Sequence, residues 1–260
     1  MSFQSAAGIR YYQFEGLGEG LTQAVFTRLG GTSPAPWDSL NLGGTVGDDL
    51  PRVRANRDRA LAVLDRAPDS VFDVWQVHGV NVAIAEAPRL PDAPHLQADT
   101  ILTNTPGVTL LMRFADCVPI FLHDPVHKAI GICHAGWMGT VNCTVRYAVE
   151  AMQARFGSKP GDILAGIGPS IGPDHYEVGP DVVAQVRQAF GPSASSSLGN
   201  HGGATHFDLW AANRLTLENA GVRQIELAGL CTACHTGDWY SHRAEKGRTG
   251  RFGAILALNS

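Results

Sequence analysis

Three short apolar runs in the middle of the chain, 71–77 (VFDVWQV), 109–116 (TLLMRFAD) and 129–133 (AIGIC), are each followed or closed by a metal-binding residue type: His78, Cys117 and His134. Apolar runs of this length read as strands. Each of the three residues lies where an extended run gives way to a tight turn, with Gly79 after His78, Val118-Pro119 after Cys117 and Ala135-Gly136 after His134. Functional side chains gather at such places because a rigid scaffold positions them. Two imidazoles and one thiolate suit Zn²⁺, and three protein ligands leave one coordination position open, the pattern of a catalytic zinc. Alone, each residue has a plainer reading as a hydrogen-bonded core histidine or a small buried thiol; the shared setting favours the ligand set and points to an enzyme. In an extended stretch 130–134, Ile130, Ile132 and His134 share one face while Cys133 points to the other, so Cys133 is assigned to the core.

With 260 residues, 44% of them hydrophobic, the chain can bury a full core. Five cysteines without the spacing of a small secreted scaffold read as reduced thiols in a cytoplasmic protein. The first thirty residues lack a basic start followed by an apolar stretch, and no segment approaches the roughly 18 uncharged apolar residues of a membrane span. A net charge of -4 argues against nucleic acid as a partner, since phosphate backbones select basic faces. A small anionic substrate remains compatible, because its site needs only a few local cations.

Residues 23–28 read as a strand and 30–44 as a long loop rich in glycine and proline. A helix is predicted over 51–66, with Pro51 in its first turn. Between 71 and 133 three or four strands are expected, broken by turns at 104–107 (NTPG) and 123–125 (HDP), which would leave His123 and His127 at the surface. Further helices are predicted over 137–156, capped by Gly157, and over 180–190 and 207–220. Residues 193–203 (SASSSLGNHGG) read as a mobile loop, and 224–228 and 252–258 as strands. Strands and helices do not alternate regularly, which favours an α+β architecture over a doubly wound parallel sheet.

Other motifs carry less. Cys231-x-x-Cys234-His235 resembles half of a zinc or redox motif. The GIGPSIG segment (166–172) fails as a dinucleotide fingerprint, because Ile171 stands where the third glycine belongs and Pro169 would disturb the phosphate turn. The turn Gly136-Trp137-Met138-Gly139-Thr140 leads into the predicted 137–156 helix, whose first amides could hold a phosphate. Arg243, Lys246, Arg248 and Arg251 in the tail read either as a solvated basic loop or as further phosphate contacts.

The segments WQVHG (75–79), ADCVP (115–119), HAGWMG (134–139), GIGPSI (166–171) with YEVG (176–179), and Cys231-Thr232 with 241–251 resemble the YfiH family, also called the multicopper polyphenol oxidoreductase or laccase-like family. TRLGG (27–31) and SLNLG (39–43) match as well, so the resemblance runs in order from about residue 20 to the C-terminus. It implies that His78, Cys117 and His134 bind zinc. It also implies a single α+β domain over 1–260, with mixed sheets flanked by helices, similar to the catalytic domain of a deamidating bacterial toxin that uses a Cys and a His.

By the same resemblance the chain is a purine nucleoside phosphorylase, splitting adenosine, inosine or methylthioadenosine with phosphate, with adenosine deaminase activity. A monomer is expected. Zinc suits both reactions, since it activates water for attack on adenine and stabilises developing negative charge. Asp116 reads as an acid/base or supporting residue, or as one that points away from Cys117. Two alternatives stay open: a hydrolase with Cys117 as nucleophile and His134 as base, and an enzyme editing peptidoglycan precursors. Copper-oxidase chemistry is not expected, because ten histidines include no His-x-His pair. Members usually carry Arg at position 138, where this chain has Met138. Arg113, an unusual charge inside an apolar run and four residues before Cys117, is expected to share the face of Cys117 and replace that arginine, or else to snorkel from a sheet edge.

Overall fold

Apolar runs that are continuous rather than alternating form strands covered on both faces, and the chain is built around several of them. A computed structural model describes residues 2–259. The strands are β1 (Ser2–Ala6), β2 (Ile9–Gln13), β3 (Leu21–Phe26), β4 (Val71–Asp73), β5 (Val82–Ile84), β6 (Thr100–Thr103) and β7 (Thr109–Phe114). They continue with β8 (Val118–Asp124), β9 (Ala129–Ala135), β10 (Leu164–Ile167), β11 (Leu198–His201), β12 (Ala204–Phe207), β13 (Gln224–Leu227) and β14 (Phe252–Leu258). The helices are α1 (Leu50–Ala62), α2 (Trp137–Val141), α3 (Thr144–Phe156), α4 (Pro180–Phe190) and α5 (Leu209–Asn219).

Sheet one has the order β1-β2-β3-β14-β7-β4 and sheet two the order β13-β10-β8-β9-β6-β5. Both are mixed: β4 pairs parallel with β7, β5 with β6 and β10 with β13, while the other pairings are antiparallel. The sheets face each other. Leu110, Met112, Phe114, Phe252, Ala254 and Leu256 of sheet one share a core with Ile101, Phe121, Ile130 and Ile132 of sheet two. The opposite faces are covered by helices: α3 and α5 pack Val145, Val149, Met152, Ala212 and Leu217 against Ile120, Leu122 and Cys133. Ala60 and Leu61 of α1 pack against Ala24, Phe26, Leu111 and Ile255. The architecture is α+β, as the irregular order of elements predicts.

Several expectations are corrected. The helix over 137–156 is two helices, because Cys143 has φ 57° and interrupts it between α2 and α3. Its end is as predicted, with Gly157 at φ 75° donating its N–H to Gln153 O at 3.1 Å. The segment 193–203 is not loop alone, since it holds the end of a 3₁₀ turn and one strand of the β11–β12 hairpin. His123 lies inside β8 and is buried, with Nδ1 2.7 Å from Leu17 O. Helix α1 has Asp49 as its cap, accepting from the Arg52 N–H at 3.2 Å, but stops at Ala62. No helix among the described residues is long and apolar enough to cross a membrane.

The loop between β3 and α1 is irregular and yet fixed. Asn56 of α1 is fully buried beneath it; it accepts from the Thr32 N–H at 3.0 Å and donates to Ser33 Oγ at 2.9 Å, Ser39 O at 3.2 Å and Asn41 O at 3.0 Å. This one amide holds the loop that carries Gly43, Gly44 and Thr45 to the wall of the cavity described below. Buried groups left unpaired cost about 1–3 kcal/mol each. Asn56→Ala is expected to destabilise the fold by at least about 2 kcal/mol, read as a lower urea midpoint at unchanged m-value. An unchanged midpoint would show that the loop is held by other contacts.

Candidate metal centre and its cavity

Two chain crossings between the sheets bring the candidate ligands together. β4 of sheet one leads through His78 to β5 of sheet two, and β7 leads through Asp116 and Cys117 to β8, while His134 lies near the end of β9. The donor atoms of His78, Cys117 and His134 all lie within 4.8 Å of one another. Cys117 Sγ is 3.8 Å from His78 Nε2, and the two imidazole centroids are 4.8 Å apart. Tetrahedral zinc, with bonds of about 2.0–2.1 Å to nitrogen and 2.3 Å to sulfur, spaces such donors by roughly 3.5 Å. The three residues therefore form a group able to hold a metal ion. Gly136 makes the spacing possible, since a Cβ there would stand 2.9 Å from Cys117 Sγ and 3.1 Å from His78 Cδ2.

His134 is buried and faces between the sheets, its ring 5.4 Å from that of Phe114. Cys133 points the other way into the core, and burial pushes its thiol up to about 12. Both outcomes follow from strand alternation.

Asp99, a residue not singled out in the sequence, organises the centre. Its buried carboxylate is 2.8 Å from His134 Nδ1 and accepts the backbone N–H groups of Val77 at 3.1 Å, His78 at 3.0 Å and Gly79 at 2.7 Å. With Nδ1 engaged, His134 is left with Nε2 to bind a metal. Burial alone would raise the Asp99 carboxyl, but the bonds from His134, Gly79 and Val77 hold it below the ordinary carboxylate range. Burial would likewise raise the Cys117 thiol, and His134 and His78 outweigh it, so the sulfur is thiolate-prone. The His134 imidazole moves in the complementary direction: burial lowers it, but Cys117 and Asp99 outweigh burial and raise it to about 9.

Asp116 has φ 81° and redirects the chain between β7 and Cys117. Its carboxylate accepts from Thr232 Oγ1 at 2.6 Å and from the Arg243 N–H at 2.6 Å, which ties the turn to the C-terminal segments. This positive φ breaks the alternation on which the expected placement of Arg113 rested. Cys117 packs on the core between the sheets, whereas Arg113 opposes Gly253 on the α1 side, where Leu111 also lies. Arg113 therefore does not share the face of Cys117. Nor does it snorkel from an open edge, because past the end of β4 the Gln76 amide bonds the Arg113 N–H at 2.9 Å and C=O at 2.8 Å. Its guanidinium donates to Asp73 at 2.8 Å and to Val74 O.

Asp73 is surrounded by basic side chains: Arg89 at 2.8 Å, His95 at 3.1 Å and Arg57 at 3.9 Å in addition to Arg113. Burial would raise its carboxyl, and Arg113, Arg89, His95 and Arg57 outweigh that effect and lower it. Arg57 itself is brought down to about 10 by burial and by Arg113 beside it. Three guanidiniums around one carboxylate leave a local positive excess.

The metal-binding group and this cationic cluster line one cavity of about 1450 Å³. Six arginines (54, 57, 89, 113, 243, 251) and five aspartates (58, 69, 73, 92, 116) line it, so its charge is nearly balanced overall and the positive excess is local to Asp73. Near the metal group the wall includes Trp75, Trp137, Met138 and Tyr176. Of the residues expected to bind phosphate, Arg113, Gly136, Arg243 and Arg251 line this cavity, and Gly139, Thr140 and Arg248 are not in its lining. Thr140 is buried and its Oγ1 accepts from Asn213, and a Cβ on Gly139 would meet Thr144. Arg248 is exposed. α2, at five residues, is also too short for the expected helix-dipole site, because few peptide dipoles align.

Residues 22–259 match the family described as multi-copper polyphenol oxidoreductase laccase. The chain is 41% identical over 235 residues to a purine nucleoside phosphorylase of Deinococcus radiodurans, covering 90% of this chain and 88% of that protein. It is 36% identical over 242 residues to the purine nucleoside phosphorylase YlmD of Bacillus subtilis, covering 89% and 86%. The crystal structure of YlmD from Geobacillus stearothermophilus superposes with a TM-score of 0.92 at 33% identity over 99% of both chains. That of the Bacillus licheniformis hypothetical protein YfiH gives 0.91 at 31% identity, again over 99% of both. The chain belongs to the YfiH family.

Supporting partners of metal-ligating histidines typically contribute 10- to 100-fold in affinity. Asp99→Asn is accordingly expected to weaken metal binding about 10- to 100-fold, measured by competition with a chromophoric chelator. Wild-type affinity in this variant would remove Asp99 from the centre.

Proposed function

We propose that the chain is a zinc-dependent purine nucleoside phosphorylase of the cytoplasm, acting on adenosine, inosine and methylthioadenosine, with adenosine deaminase activity on the same zinc. The observation that carries this reading is one cavity joining a two-histidine, one-cysteine group to a cluster of arginines. The names of the relatives support the reaction class. Two imidazoles and a thiolate favour zinc over the harder divalent ions. Zinc supplies Lewis acidity toward the purine and, for deamination, activation of water.

The protein's own residues divide the remaining work. Trp75, half exposed, and Met138 offer apolar surface to a flat base in the cavity. Arg57, Arg89 and Arg113 offer charge-assisted contacts to phosphate, a role that their excess over Asp73 permits. Asp116, with both carboxylate oxygens already accepting hydrogen bonds, holds the turn before Cys117 and presents a carboxylate to the cavity. Arg243 lies over the Tyr176 ring at 4.8 Å, closing the wall beside it, and Arg251 contributes a further cation.

A second reading has one observation in its favour. Cys117 is thiolate-prone beside His134, which is also the arrangement of a Cys/His hydrolase with Cys117 as nucleophile. Stoichiometric zinc lost in Cys117→Ser supports the first reading, and metal-free activity supports the second.

Adenosine incubated with the protein is expected to give adenine and ribose 1-phosphate only when phosphate is present, with inosine forming in parallel, as read by chromatography. Absence of both products above a His78→Ala control would reject the proposal. Arg113→Met is expected to raise the apparent KM for phosphate about tenfold or more, since one charge-assisted contact is worth about 1.5–3 kcal/mol, with metal content unchanged. An unaltered phosphate dependence would place the anion elsewhere in the cavity.

A further inference from the structure

A second His/Cys group lies away from the first. The donor atoms of His175, Cys231 and Cys234 all fall within 4.8 Å of one another. In sequence, Cys231-x-x-Cys234 is only half a motif, and the fold supplies the third donor from 56 residues away. His175 Nδ1 is 3.5 Å from Cys234 Sγ and 3.8 Å from Cys231 Sγ. Tetrahedral zinc spaces a nitrogen and a sulfur donor by roughly 3.5 Å and two sulfurs by roughly 3.8 Å, so small adjustments place one ion among all three.

The backbone gives one of the two sulfurs a hydrogen-bond donor. Cys231 is buried, and its Sγ accepts the Gly172 N–H at 3.2 Å. Gly172 permits that approach, since a Cβ there would stand 3.1 Å from Cys231 Cβ and 3.3 Å from its Sγ. Cys234 and His175 are exposed, which gives an ion a path from solvent and leaves its fourth position to water. All five cysteines are free thiols.

We propose that His175, Cys231 and Cys234 form a second zinc site that clips two loops together. Two thiolates and an imidazole select a thiophilic ion such as Zn²⁺ over Mg²⁺ or Ca²⁺. The clipped segments already touch: the Ser170 N–H donates to Leu230 O at 3.1 Å and the Thr232 N–H to Ser170 O at 3.0 Å. The same two segments hold Asp116, through Thr232 Oγ1 at 2.6 Å and the Ile171 N–H at 3.0 Å. An ion bound here adds a cross-link directly behind the turn that presents Cys117, coupling this site to the first through position rather than chemistry.

Zinc per chain, measured after dialysis against micromolar free Zn²⁺ and then metal-free buffer, tests the site in wild type, Cys117→Ser, Cys234→Ser and the double variant. The expected contents are about two, one, one and none, following the three-ligand stoichiometry of each group. His175→Ala, a substitution at an exposed position, is expected to lose the same equivalent as Cys234→Ser. Thiol titration in denaturant with chelator and no reductant is expected to find all five cysteines. Equal zinc in Cys234→Ser and wild type overturns the proposal, as does a deficit of two thiols, which would mean a Cys231–Cys234 disulfide. The Cys117→Ser background reads this site alone, so a failure of the first centre appears separately, as zinc content unchanged by that substitution.

Discussion

The carboxylate of Asp99 is the contact on which the candidate centre depends. It sits at the start of β6 in sheet two and gathers three consecutive backbone N–H groups from the segment that leaves sheet one, while its other bond orients His134. Each such bond to a charged acceptor is worth about 1.5–3 kcal/mol, and losing the acceptor would leave several donors without a partner. His78 has φ 60°, a conformation that costs a non-glycine residue roughly 1–3 kcal/mol. Asp99 offsets that strain by binding the His78 N–H itself. One ligand on the crossing segment and one on sheet two are thus positioned by one buried side chain.

Around this contact the cavity has two chemically different ends. One lies at the sheet crossing, where Cys117, His78 and His134 meet beside apolar and aromatic surface. The other lies toward α1, where Asp73 anchors Arg57, Arg89 and Arg113 from three separate segments. A carboxylate with several guanidiniums does more than neutralise one of them: it holds mutually repelling cations close enough to act on one anion. Arg113 reaches this cluster through the alternation of β7, which places it with Leu111 on the α1 side, while the turn at Asp116, at φ 81°, redirects the chain before Cys117. Met138 lines the same cavity, and the positive charge within it stands on other elements.

Much was legible in the amino-acid order, because it depends on local periodicity and short motifs. Strands within 71–77, 109–116 and 129–133, the first of them only Val71–Asp73, the three candidate ligands beyond or near their ends, the opposite facing of Cys133 and His134, the Gly157 cap and the α+β class all follow from alternation, run length and turn chemistry. Family membership is likewise a property of motifs in order. What local reading could not see was any residue whose role depends on a distant partner. Asp99 carries no motif of its own; an acidic residue opening an apolar strand some twenty positions after His78 was the available signal. Asp73 was hidden inside an apolar run, and His175 in a loop of unremarkable composition.

Where periodicity was extrapolated across a residue with positive φ, it failed. Cys143 divides the helix expected over 137–156, and the turn at Asp116 ends the alternation that would have put Cys117 on the face of Arg113. Neither residue is a glycine, and only Asp116 is of a type enriched at positive φ; packing and hydrogen bonds fix the conformation at both. The sequence alone determined several of the central strands and which residue types stand at their ends, though not the six strands found where three or four were expected, nor β1, β2, β10, β11 and β12. Only the tertiary structure decided which of them meet, that Arg243 and Arg251 face the cavity while Thr140 and Arg248 do not, and that Asp99 binds the two sheets at the centre. The reason is that side-chain hydrogen bonds and ion pairs join residues far apart in the chain, and their geometry exists only once both sheets have packed.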